Sequence, residues 1–147
     1  MPRIQRQAEV AWEGSLSRGS GVVNAGSGAF QLPVDLPSRI GDPGGKTSPE
    51  ELLAAAHASC YVTSLAGEIA KAGGTVQGLD VTCAVTIDEV AGKGHRVVAS
   101  EIDARGRAEG IDHAGFERAV RAADEGCTLS NLIRASASVS VRAKLES

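Results

Sequence analysis

The sequence predicts an α+β fold, with mainly antiparallel sheet packed around one long buried central helix. Three observations predict it. Several short runs alternate apolar with polar residues and are joined by glycine-rich turns, as in strands linked by hairpins. Between Glu51 and Glu68 no Asp, Glu, Lys or Arg occurs, and this uncharged run lies behind a strong helix start. Strand runs and helix runs are also grouped rather than strictly alternating, which favours segregated layers over a parallel α/β sheet. At 147 residues the chain is read as a single domain, residues 1–147, long enough to bury a real core.

The elements follow in order. Residues 4–32 read as two or three antiparallel strands. Val10 and Trp12 alternate with Glu9, Ala11 and Glu13 before Gly14, and Val22-Val23 and Ala29–Leu32 flank the turn Asn24–Gly28. Pro33–Lys46 is expected to be a loop, because Pro33, Pro37, Gly41, Pro43, Gly44 and Gly45 oppose both helix and central strand. The helix then opens with Ser48 as N-cap, Pro49 at the first helical position and Glu51 completing a capping box. Its small residues let another backbone approach closely, and Gly73-Gly74 ends it. Ser59, Thr63 and Ser64 make the uncharged run too polar and too short to span a membrane.

Leu79–Val90 alternates, with Val81, Cys83, Val85 and Ile87 on one face. Ala91–Gly94 is a hairpin loop, and His95–Arg107 a half-exposed strand. Asp112 caps a second helix that carries Phe116, Ala119, Val120 and Ala123 at helical spacing and ends at Gly126. A short helix covers 128–134, and Ala137–Glu146 alternates as the last strand. The predicted order is β-β-β-α-β-β-α-α-β.

Composition excludes several function classes. Aromatic residues make up 3% of the chain, too few to build stacking platforms for single-stranded nucleic acid. A net charge of -3 with scattered Lys and Arg gives no basic footprint for DNA or RNA. The first residues, MPRIQRQAEVAW, hold no apolar signal core, so the expected compartment is the cytoplasm. Three cysteines without a C-x-x-C do not form a disulfide scaffold. His57 and Cys60 share a helix face at i, i+3, but no second ligand pair completes a metal site, so no metal is expected.

Cys83 lies on an apolar strand face and reads as structural. Cys60, in mid-helix, and Cys127, at a helix junction near the positive end of a peptide dipole, suit thiol redox chemistry. One thiolate attacks an oxidant and becomes a sulfenic acid, and the second thiol condenses with it to a disulfide. A thiolate at neutral pH needs a nearby cation, for which Arg39 is the candidate, with Glu50 as the carboxylate that holds the guanidinium. Glu51 is expected to be taken by the capping box. Glu50 and Cys60 are ten residues apart on one helix, roughly 15 Å along its axis. One guanidinium cannot reach both, so a shared arginine implies a two-fold dimer with sites at its interface.

Four groups of residues carry a resemblance over nearly the whole chain. They are Ala11-Trp12-Glu13-Gly14, then Arg18-Gly19 with Gly21, Val23 and Ser27-Gly28, then Arg39 with the stretch Thr47–Cys60, and Gly126-Cys127 with Leu129-Ser130-Asn131. In these the sequence resembles the OsmC/Ohr family of cysteine-based peroxidases, its OsmC branch in particular. The resemblance implies an intertwined α+β homodimer with two active sites between subunits and no haem, flavin or metal cofactor. It implies Cys60 as the peroxidatic and Cys127 as the resolving cysteine, Arg39 as the activator of the thiolate and Glu50 as its orienting carboxylate. The implied substrates are organic hydroperoxides, with hydrogen peroxide poorer. The implied reductant is a dithiol, dihydrolipoyl in type. Two positions depart from the family pattern: Thr128 stands where proline commonly follows the second cysteine, and Ser48 where asparagine often precedes the Pro-Glu pair.

Other readings stay open on the residues alone. His57 one turn before Cys60 suggests a Cys-His nucleophile pair for acyl transfer, although no orienting third group or oxyanion motif is recognisable. A packed histidine at a helix interface is the plainer reading. The same fold could also serve as a non-catalytic dimeric stress or binding protein, or as a redox sensor.

Overall fold

The computed structural model of the protein describes residues 2–146. They form two compact units, Met1–Leu52 and Leu53–Ser147.

In the first unit β1 (Ala8–Glu13), β2 (Ser20–Ala25) and β3 (Gln31–Val34) form an antiparallel sheet in that order. Trp12 faces Gly21 across the β1–β2 pair, and a Cβ at Gly21 would lie 2.8 Å from the indole. The missing side chain is what lets the ring lie over the neighbouring strand. Every residue of β1 is exposed, Val10 and Trp12 included.

The expected loop Pro33–Lys46 holds more structure than its composition suggested. Pro33 and Val34 finish β3, and α1 (Leu36–Ile40) follows. Both prolines are tolerated for positional reasons. Pro33 lies on an edge strand, where the missing N–H breaks no ladder, and Pro37 falls in the first turn of α1, whose amides have no helical partner. Asp35 caps α1, its carboxylate accepting from Ser38 N at 2.9 Å and from Lys46 Nζ at 2.6 Å. The Lys46 ammonium leads in holding the Asp35 carboxyl down to a pKa of about 2, helped by the Ser38 donors.

In the second unit β4 (Thr75–Val90), β5 (Gly94–Glu109) and β6 (Ser138–Leu145) form a sheet with β5 central. β4 starts four residues earlier than the expected Leu79. The β4–β5 hairpin is antiparallel, but β6 runs parallel to β5, so this sheet is mixed rather than antiparallel throughout. A parallel neighbour needs a long crossover, which α3 (His113–Gly126) and α4 (Thr128–Arg134) supply. Alternation along β5 buries Ser100, Ile102, Ala104 and Gly106. Gly106 is required by closeness: a Cβ there would lie 3.0 Å from the Phe116 ring.

The long helix α2 (Pro49–Lys71) buries one stripe, His57, Tyr61, Leu65 and Ile69, at a strict spacing of four. Tyr61, Leu65 and Ile69 pack with Ile102, Ala104, Phe116, Ala119, Ala123 and Cys127 as the core. The expectation of a helix surrounded by protein holds for this stripe alone within one chain. The other faces, uncharged as far as Glu68, are half-buried or exposed. No helix among the described residues is long and apolar enough to cross a membrane.

Candidate functional site

The structure brings the four residues with expected chemical roles together as two pairs. In the first, the Arg39 guanidinium meets the Glu50 carboxylate in a two-pronged ion pair, Nε to Oε1 at 2.9 Å and Nη2 to Oε2 at 2.8 Å. The sequence leads to this geometry locally. α1 is one turn long and pinned by Asp35, so Arg39 leaves it from a fixed backbone position. Glu50 lies in the first turn of α2, where a carboxylate also complements the helix dipole. The Arg39 partner lowers the Glu50 carboxyl below its ordinary range, and Glu50 raises Arg39 in turn. The fork geometry fixes the guanidinium plane, which a lysine could not do.

Glu51 departs in part from the expected capping box. Ser48 Oγ accepts from Glu51 N at 3.0 Å, as a capping serine should. The Glu51 carboxylate, however, accepts from Thr47 Oγ1 at 2.8 Å. Glu50 is left for Arg39 in either arrangement. A concave region of about 180 Å³, lined by Trp12, Leu16, Val34, Leu36 and Pro49, opens beside Arg39.

The second pair lies in the second unit. Cys127 Sγ is 3.3 Å from Cys60 Sγ, and both are free thiols. Cys60 projects from mid-α2 and is half-buried, whereas Cys127 is fully buried at the junction of α3 and α4. Cys127 is the N-cap of α4, its sulfur accepting from Ser130 N at 3.4 Å. This turns the first amides of α4 toward Cys60. Burial pushes the Cys60 thiol up, but the Thr128 hydroxyl (3.4 Å from the sulfur), the Leu129 amide, the Cys127 thiol and the Thr128 amide together outweigh it, so the net shift is down. At Cys127 burial dominates and the thiol is raised, despite donation from Ser130. One thiol is therefore poised to ionise and its neighbour to keep its proton.

The direction of these shifts sets an order of alkylation. A thiolate reacts and a thiol does not, so a lowered thiol gains reactivity at lower pH. We expect the iodoacetamide rate at Cys60 to reach half-maximum at a lower pH than at Cys83, which burial raises. Peptide-resolved mass spectrometry across a pH series checks this, and equal midpoints would contradict the description of Cys60.

His57 is not paired with Cys60. Its ring is fully buried, with Nδ1 at 2.6 Å from Ser100 Oγ and Nε2 at 2.8 Å from Ser130 Oγ, so both nitrogens are taken. Burial chiefly lowers its pKa. Cys83 is close to this cluster, 3.2 Å from Ser100 Oγ and 3.7 Å from His57 Nδ1. It is therefore partly polar in surroundings rather than purely apolar. Sequence reasoning assigns no role to Thr128, Ser130 or Ser100. Alternation places Ser100 on the buried face of β5, but no local pattern indicates that three distant segments converge on one imidazole.

Similarity to known proteins agrees with this architecture. Residues 41–142 match the family model described as OsmC-like protein. The chain is 33% identical over 134 residues to the peroxiredoxin OsmC of Escherichia coli, covering 90% of this chain and 92% of that protein. Among solved structures it superposes on an organic hydroperoxide resistance protein OsmC from Legionella pneumophila with a TM-score of 0.73 at 22% identity, covering 97% of this chain and 99% of that one. An OsmC-like protein of unknown function from Vibrio cholerae gives a TM-score of 0.80 at 16% identity, covering 97% and 100%. The organic hydroperoxide resistance protein OhrB of Bacillus subtilis gives 0.70 at 19%, covering 94% and 98%. At these identities the solved structures speak for the fold, an α+β arrangement of the same kind.

Proposed function

This chain belongs to the OsmC-like family, and from that premise we propose that it is a cysteine-based thiol peroxidase reducing organic hydroperoxides to alcohols. The observation that carries the reading is the Cys60–Cys127 pair, two free thiols 3.3 Å apart whose acidities are pushed in opposite directions. The Cys60 thiolate attacks the terminal oxygen of ROOH. An S–O bond forms, the O–O bond breaks, and the alkoxide leaves as ROH after gaining a proton. Cys127 then attacks the Cys60 sulfenic acid, forming the disulfide and releasing water. A dithiol, dihydrolipoyl in type, returns the disulfide to two thiols by exchange. Hydrogen peroxide is the poorer substrate, since it offers no alkyl group to the apolar concavity beside Arg39.

Arg39 and Glu50 belong to the same reading. Arg39 stabilises the negative charge on sulfur and on the leaving oxygen, and Glu50 holds its plane. Because α2 begins at Pro49, Glu50 and Cys60 lie on one continuous helix, roughly 15 Å apart along it. This supports a homodimer in which Arg39 and Glu50 of one subunit serve Cys60 and Cys127 of the other. The bare apolar residues of β1 and the uncharged, half-exposed faces of α2 support it too, because a partner copy would cover them. The family match spans the boundary between the two units, which supports treating residues 1–147 as one domain. A reducing compartment such as the cytoplasm suits three free thiols and a dithiol reductant.

The test is intact mass and thiol count on the reduced protein after one equivalent of tert-butyl hydroperoxide. The expected result is loss of two thiols, a Cys60–Cys127 linked peptide and a free Cys83. Survival of all three thiols in a large excess of peroxide would remove the enzyme reading. Cys60 oxidised without a disulfide would remove Cys127 from its role.

A further inference from the structure

The reaction above leaves the fully buried His57 imidazole without a part. His57 sits inside the core with its two serine partners, Ser100 and Ser130, themselves fully buried. Burying three polar side chains is costly unless each is paired, and apolar residues of similar size would fill the same space. Here each is paired, and the chain of contacts leads to the redox centre. Ser130 holds His57 Nε2 with its hydroxyl at 2.8 Å and gives its backbone amide to Cys127 Sγ at 3.4 Å.

Resting on the two-cysteine reading, we propose that His57 takes up the Cys127 thiol proton during disulfide formation, working through the hydroxyl of Ser130. The need for such an acceptor follows from the order of events. In the reduced protein the Cys127 thiol donates to the Cys60 sulfur. Once Cys60 has become a sulfenic acid, its sulfur is no longer an anionic acceptor for that proton. Cys127 is fully buried, so bulk water does not reach its proton, and burial raises the thiol further. An imidazole kept neutral by burial is a base free to accept.

The step balances without another reagent. Cys127 S–H gives its proton to Ser130 Oγ as Ser130 passes its own to His57 Nε2. The S–S bond forms, the Cys60 S–O bond breaks, and the departing hydroxide takes a proton from the Ser130 hydroxyl, which recovers one from His57, so that water leaves. The tautomer this requires satisfies every group once: Nε2 accepts from Ser130, Nδ1–H donates to Ser100 Oγ, and the Ser100 hydroxyl turns to Cys83 Sγ at 3.2 Å. Asp124 favours the transient imidazolium, and one of its carboxylate oxygens is buried with no hydrogen-bond partner among the described residues. Arg134, bonded to the other oxygen, opposes it. Ser130 touches the reacting sulfur; His57 is a positioning residue and proton store behind it.

The experiment is rapid quenching of wild type, H57Q and S130A after tert-butyl hydroperoxide. Dimedone traps the sulfenic acid, N-ethylmaleimide the free thiols, and mass spectrometry counts both. The amide side chain introduced by H57Q can still reach both serines but cannot take a proton. Oxidation of Cys60 is expected to stay within about twofold of wild type in both variants, while disulfide formation slows about tenfold or more and the dimedone adduct accumulates. Disulfide formation at the wild-type rate in H57Q overturns the proposal, whatever S130A does. If wild type itself forms no disulfide, the two-cysteine reading fails and this proposal with it. A measurement free of variants stands beside these: nitrogen NMR of wild-type His57 is expected to show Nε2 unprotonated, and a protonated Nε2 in the resting enzyme overturns the relay.

Discussion

Replacing Cys60 with serine is expected to lower hydroperoxide turnover by about a thousandfold or more, with the fold unchanged. Cys60 is half-buried against the edge of the core, where a serine of nearly the same size fits the same space. What it loses is chemical. The donors of Thr128, Leu129 and Cys127 lower the Cys60 thiol below its ordinary range, but a serine hydroxyl starts far too high for the same donors to ionise it. Its oxygen also cannot be oxidised to a species that Cys127 could reduce. Initial rates of tert-butyl hydroperoxide consumption with excess dihydrolipoamide check this, alongside the circular dichroism spectrum and thermal midpoint. A C60S protein that keeps a tenth of wild-type turnover would show that another group attacks the peroxide.

Mixing two inactive variants should restore activity. Arg39→Ala alone is expected to cost about a hundredfold or more, as removal of a group that stabilises developing charge does. C60S is inactive for the reason above. If the two halves of a site come from different subunits, a hybrid dimer of the two variants contains one doubly damaged site and one intact site. Statistical subunit exchange makes half the dimers hybrid, so about a quarter of wild-type activity should return. If each site were complete within one chain, both sites of the hybrid would carry one lesion and no activity would return. The assay is peroxide consumption after brief partial denaturation and refolding of the mixture, with each variant treated alone as the control.

Much of the site could be read along the chain. Cys60 and Cys127 stood out by position, one inside an uncharged helix and one at a glycine-marked junction, and each lies where those signals placed it. Their 3.3 Å approach is a different matter, since 67 residues separate them and no pattern gives that distance. Glu50 could be picked over Glu51 because capping chemistry accounts for only one of two adjacent carboxylates. The partner actually taken by Glu51, the Thr47 hydroxyl, was visible only in the fold. The loop before α2 misled for an instructive reason. Five of its residues, Leu36–Ile40, wind into a helix too short for periodicity to register, held by Asp35 and Lys46 from its two sides.

By itself the sequence determined what local physics decides. Alternation set the strands, the capping signals of Ser48 and Asp112 set where α2 and α3 start, and the glycines at 73 and 126 set where they end. These depend on neighbours within a few residues, so a linear reading finds them. Tertiary structure decided the direction of β6, the identity of the donors around the Cys60 sulfur, and the burial of His57 between two serines. Each of these depends on segments brought together by packing the α2 stripe against β5 and α3. The energy of that packing is collective and non-directional, so no single stretch of residues records which polar groups it encloses.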